Sequence, residues 1–157
     1  MLRRQLRSIR SLALLLIVMG VTAFGSPPAR ADAGMAAAAM TANGGLSACA
    51  ANTGKALYDC VANVLDKLSN DITAPGVPET RRALSNAAAK LRAATSKAQA
   101  LSAVTQCRAL ITSALAKVRA LGGGYVAGWG GGAGAGSGLA AVSDVLARAA
   151  KLIQTKG

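Results

Sequence analysis

Between Glu79 and Leu121 the chain runs for 43 residues without a glycine or a proline, so nothing in the backbone chemistry interrupts a helix there. The open question is whether this stretch is one helix or two. At about 100° per residue, Leu84, Ala88, Leu91 and Ala98 cluster within about 40° of a common direction, with Thr95 as the polar member of the stripe. Val104, Cys107, Ile111, Leu115 and Val118 gather near the opposite side, while Leu101, Leu110 and Leu121 fall between. A straight helix would therefore present its two apolar halves in opposite directions. Either different partners cover the halves, or the chain turns near residues 95–97. Ser96 followed by Gln99 has the capping-box spacing, which favours the turn.

Breakers bound this stretch on both sides. Asn70 to Pro78 is a turn, with Pro78 suited to the first position of the next helix and Glu79 to the positive end of its dipole. Before it, a helix is expected from Asn52 or Thr53 to about Ser69, with Leu57, Val61, Val64, Leu65 and Leu68 on one face. After it, residues 122–138 hold ten glycines in 17 residues and read as a linker. A final amphipathic helix over 139–156 follows. Ser137 is its expected cap and Leu139, Val142, Leu146, Ala149 and Ile153 form its apolar stripe.

The N-terminal segment reads as an export signal. Arg3, Arg4, Arg7 and Arg10 precede an apolar run from Leu12 to Phe24, then Gly25, Pro27 and Pro28, then alternating small residues ending in Ala31 and Ala33. A basic start, a short apolar centre and an Ala-x-Ala end are the parts of a secretory signal peptide. The apolar run is shorter than the roughly 20 residues of a membrane span, which argues against an uncleaved anchor. The preferred cut lies between Ala31 and Asp32, with a cut after Ala33 as the second choice. Residues 32–51, rich in Ala and Gly, then become a flexible leader or a loosely docked helix. A bacterial periplasmic or secreted location is the expectation.

Cutting there removes five of the 18 basic residues and leaves 13 against six acids, a net charge of +7 rather than +12. The remaining core is nearly free of aromatics and is mostly Ala with scattered Leu and Val, which packs closely but removes little area per residue from water. With no histidine, the commonest general base and metal ligand are missing. No enzymatic activity, cofactor or metal is expected.

Three features carry the functional expectations. Export would bring three cysteines into an oxidising compartment, where one bridge and one odd thiol follow. If residues 46–69 were one helix, Cys49 and Cys60 would lie about 16 Å apart, too far to bond. Cys60 with Cys107 is then the expected pair, and Cys49 with Cys107 the alternative if 79–121 is a single helix. A redox-active thiol is the functional reading of the odd cysteine. Gly124, Gly128, Gly132 and Gly136 repeat every fourth residue, the pattern that lets helices approach closely in membranes. Membrane association or self-association through that tract is one reading, a linker the other.

The third feature is basic. Arg81, Arg82, Lys90, Arg92 and Lys97 form the proposed face, and with Arg108, Lys117 and Arg119 they stand against Glu79 alone, a local charge of +7. An anionic membrane surface or an envelope protein is the expected partner. Nucleic acid is not, because neither stacking aromatics nor a recognition motif accompanies the charges. The odd cysteine or the glycine tract could make a homo-oligomer. The sequence thus predicts an all-α protein, a small antiparallel helical bundle of three or four helices after a cleaved signal peptide.

Overall fold

The computed structural model describes residues 28–73, 78–120 and 135–157. The described residues form five helices and no strand: α1 Pro28–Cys49, α2 Gly54–Asp71, α3 Pro78–Ala93, α4 Lys97–Ala120 and α5 Ala135–Lys156. The all-α expectation holds, but the count is five rather than three or four. The extra helix is α1, in the segment read as a flexible leader. It buries Met35, Ala38, Ala39, Ala42, Leu46 and Cys49 at helical spacing. That periodicity escapes sequence reading because alanine stands on its outer face as well, at Ala33 and Ala37, so the two faces show little contrast. Only the neighbouring helices decide which alanines are inside.

Each helix packs on the next in chain order, and α5 closes the ring against α1, with a lesser contact between α2 and α5. Consecutive helices run antiparallel. Arg81 at the start of α3 reaches the Ser69 carbonyl at the end of α2, and Leu115 near the end of α4 lies by Gly136 at the start of α5. Five helices make four antiparallel steps, an even number, which leaves the first and last helices parallel. Arg148 accordingly donates to the Ser47 hydroxyl (3.0 Å), and Lys156, further along α5, donates to the carbonyl of Ala50.

The turn near 95–97 is present. The Ser96 Oγ accepts the backbone N–H of Gln99 (3.3 Å), while the Gln99 amide oxygen accepts the backbone N–H of Thr95 (2.9 Å). This is a capping box shifted by one residue on its return bond. With the chain reversed there, Leu84, Ala88 and Leu91 face the same core as Val104, Cys107, Ile111, Leu115 and Val118. Thr95, in the turn, and Ala98, in the first turn of α4, are exposed.

Other ends differ in detail from expectation. Thr53 occupies the N-cap position of α2, but its side chain makes no capping bond. Gly54 has φ +54°, a left-handed conformation that helps reverse the chain between α1 and α2 and that a side chain would disfavour. α5 begins at Ala135, so the end of the expected linker, residues 135–138, is helical, and Ser137 lies inside the first turn instead of capping it. Residues 1–27, which hold the basic start and apolar run of the expected signal, lie outside the described residues. α1 passes through the expected cut at Ala31 and Asp32, and the buried residues described for it, from Met35 to Cys49, fall beyond that cut.

Adjacent glycines in α1 supply a test of how closely it meets α2. A Cβ at Gly45 would sit 2.9 Å from a γ-methyl of Val64, whereas one at Gly44 would have no neighbour within 4 Å. Gly44→Ala should therefore raise stability by up to about 1 kcal/mol through helix propensity. Gly45→Ala should lose that gain, because β-branched Val64 has little rotamer freedom in a helix. Urea unfolding of the two variants side by side measures the difference.

Candidate functional site

The cysteines are arranged differently from the expected pairing. Cys49 is bonded to Cys60 across a Cα–Cα distance of 5.7 Å, and Cys107 is free. Cys60–Cys107 and Cys49–Cys107 are both overturned. The spacing objection assumed one helix through residues 46–69, and the chain instead turns at residues 50–53. Asn52 N–H bonds to the Cys49 carbonyl (3.0 Å) and Ala50 N–H to that of Ser47 (3.2 Å), folding α1 back on α2. The end of one helix and the second turn of the next then face each other.

Cys107 is 2 % exposed, in the α4 side of the core. Burial pushes its thiol up from an ordinary 9.0 to about 12, against a smaller opposing pull from the Lys90 ammonium. Thiolate is the reactive species, so this cysteine is scarcely nucleophilic at neutral pH. Its surroundings lend no support to redox chemistry at Cys107.

The basic residues do not make one face. On α3, Arg81 and Arg92 turn toward α2: Arg81 Nε donates to the Ser69 carbonyl (3.2 Å), and Arg92 is ion-paired with Asp66 and donates to Asn63 Oδ1 (3.0 Å). Arg82 and Lys90 lie on the other flank, toward α4, where Lys90 donates to Gln106 Oε1 (2.8 Å). Lys97, Arg108 and Arg119 recur every eleven residues and so form a stripe within about 40° along α4. Lys117 is on the α3-facing flank. All eight cations are exposed, and among the described residues only Arg92 of the eight is paired with a carboxylate. The +7 surface is thus real as a region, but it is made of two flanks and a groove rather than the face read from the sequence.

Two grooves open between α3 and α4. One, of about 580 Å³, lies by the turn and is lined by Lys90, Ala94, Gln99 and Gln106 among others. The other, of about 300 Å³, lies toward the opposite end and is lined by Arg82, Leu110 and Lys117 with Glu79 at its edge. Leu110 is 61 % exposed, and with Met40 on α1 (75 %) it is one of two large apolar side chains left in solvent among the described residues. The sequence placed Leu110 between two stripes but offered no reason to single it out.

Of the glycine tract, Gly136 sits in α5, where an added Cβ would be in ordinary van der Waals range of Leu115, while Gly124, Gly128 and Gly132 lie outside the described residues. Among the described residues no helix is long and apolar enough to cross a membrane, and no cluster of three His, Cys, Asp or Glu could hold a metal ion.

Two outcomes test this arrangement. Breaking the bridge with paired Cys49→Ala and Cys60→Ala substitutions should cost about 2–3 kcal/mol, the closure entropy of a short loop, read from the urea midpoint. The raised thiol makes the folded state retain a proton that the unfolded state releases. Its contribution is intact below pH 9 and is lost as pH rises from 9.0 toward about 12. Cys107→Ala should therefore flatten the alkaline fall in stability over that window, and a thiol reagent should titrate Cys107 only after denaturation. Compared with protein-family models, curated proteins and solved structures, the chain matches none of them.

Proposed function

We propose that this is an exported, non-enzymatic helical-bundle protein that attaches to an anionic surface of the cell envelope through the basic region of α3 and α4. The observation that carries the reading is electrostatic. Eight exposed cations on two adjacent helices face one acid on the same helices, and among the described residues the one ion pair any of them makes is that of Arg92 with Asp66 on α2. Such a surface attracts anionic headgroups at about 1 kcal/mol per cation close to the membrane, and the attraction weakens with salt.

Export is supported from two directions. Residues 1–31 have the composition of a cleavable signal, and a Cys49–Cys60 bridge suits an oxidising compartment. A cut at Ala31 and Asp32 would keep Met35, Ala38, Ala39, Ala42, Leu46 and Cys49, the buried residues described for α1, in the mature chain. The mature protein would keep all five helices.

The mature chain should co-sediment with vesicles containing phosphatidylglycerol at low ionic strength and be released as salt rises toward about 0.5 M, where the Debye length falls to a few ångströms. Failure to bind such vesicles at low salt would sink the reading.

A further inference from the structure

The smaller groove between α3 and α4 gives that surface a point of contact. It combines, within about 300 Å³, two cations from different helices and an apolar side chain that the fold leaves in water. Arg82 and Lys117 form no ion pair or hydrogen bond among the described residues, even with Glu79 lining the same groove. Lys90 in the larger groove is already engaged with Gln106. The small side chains of Ala83, Ser113 and Ala114 are part of the lining between the two helices, which leaves room there for an incoming group.

Resting on the reading of an anionic envelope surface, we infer that this groove is a seat for the headgroup of an anionic phospholipid, with Arg82 and Lys117 on the phosphate and Leu110 entering the acyl boundary beside it. An apolar side chain flanked by cations matches the layering of a membrane interface, where charge lies outside and hydrocarbon begins a few ångströms deeper. A peptide helix fits less well. It would need a groove with successive apolar pockets one turn apart, and Leu110 is the one large exposed apolar group lining this groove.

Three proteins and their binding to phosphatidylglycerol vesicles test the seat: the parent, a paired Arg82→Gln and Lys117→Gln variant, and a paired Lys97→Gln and Arg119→Gln variant with the same loss of charge on the opposite flank of α4. The groove variant should bind roughly tenfold more weakly than the parent or worse, and the flank variant clearly less affected. In a Trp129→Phe background, Leu110→Trp should place its indole where brominated acyl chains quench its fluorescence. Equal losses in the two paired variants, or an unquenched indole on bound protein, overturn the seat while leaving the envelope reading intact. Absence of parent binding at low salt overturns both. Binding of an acidic peptide to the groove without any vesicle binding also overturns the lipid assignment.

Discussion

α1 contributes to the core mainly through Ala38, Ala39 and Ala42, flanked by Met35 and Leu46. Alanine removes little apolar area from water, so a helix of this kind gains less from docking than a leucine-rich one of equal length. What holds it is proximity. The Cys49–Cys60 bond ties its last residue to α2, and Gly45 lets the two backbones approach until Val64 fills the space a Cβ would need. The rest of the architecture depends on this contact, because α1 is the member that closes the ring between α2 and α5. Without it, the faces of α2 and α5 that now meet α1 would meet solvent.

The odd number of helices has consequences at the closed end. α1 and α5 finish together, so the last turn of α5 can bond the turn after α1 through Lys156, and Gly157 lies against Tyr58 at the start of α2. Bridge, turn and chain end are gathered in one place. Charge is gathered elsewhere. No Asp, Glu, Lys or Arg occurs from Ala33 to Gly54, α2 carries three acids, and α3 and α4 carry eight of the 13 cations beyond residue 31. Packing α3 against α2 then engages part of the basic set at the surface between the two helices, as Arg92 with Asp66 and Arg81 with Ser69 show. The cations left over are those of the α3–α4 groove and the stripe along α4.

Much of the helical pattern was legible in the residues themselves. The opposed phases of Leu84–Leu91 and Val104–Val118 left either a reversal or a change of covering partner, and the spacing of Ser96 and Gln99 favoured the reversal found there. Pro78 and Glu79 marked the start of α3, and Leu139 to Ile153 marked the buried face of α5. These signals are local: a breaker, a cap, or a contrast between leucine and a charged residue at a fixed angle. Where that contrast vanishes, so does legibility. α1 is alanine and glycine around most of its circumference, and α5 starts among glycines that composition assigns to a linker.

Local residue patterns were enough for the helical class, most of the buried leucines and valines, and the excess of positive charge after residue 78, and they favoured a break between α3 and α4. Which cysteines are bonded, which side of α1 is inside, and how the cations divide were settled by packing. Each of those depends on residues far apart in angle or in chain, brought together by a turn or a neighbouring helix. The bridge follows from the turn at residues 50–53, the buried side of α1 from the presence of α2 and α5, and the division of charge from the direction in which α3 meets α2. Periodicity along one helix carries no information about any of them, since it records where a side chain points and not what stands opposite.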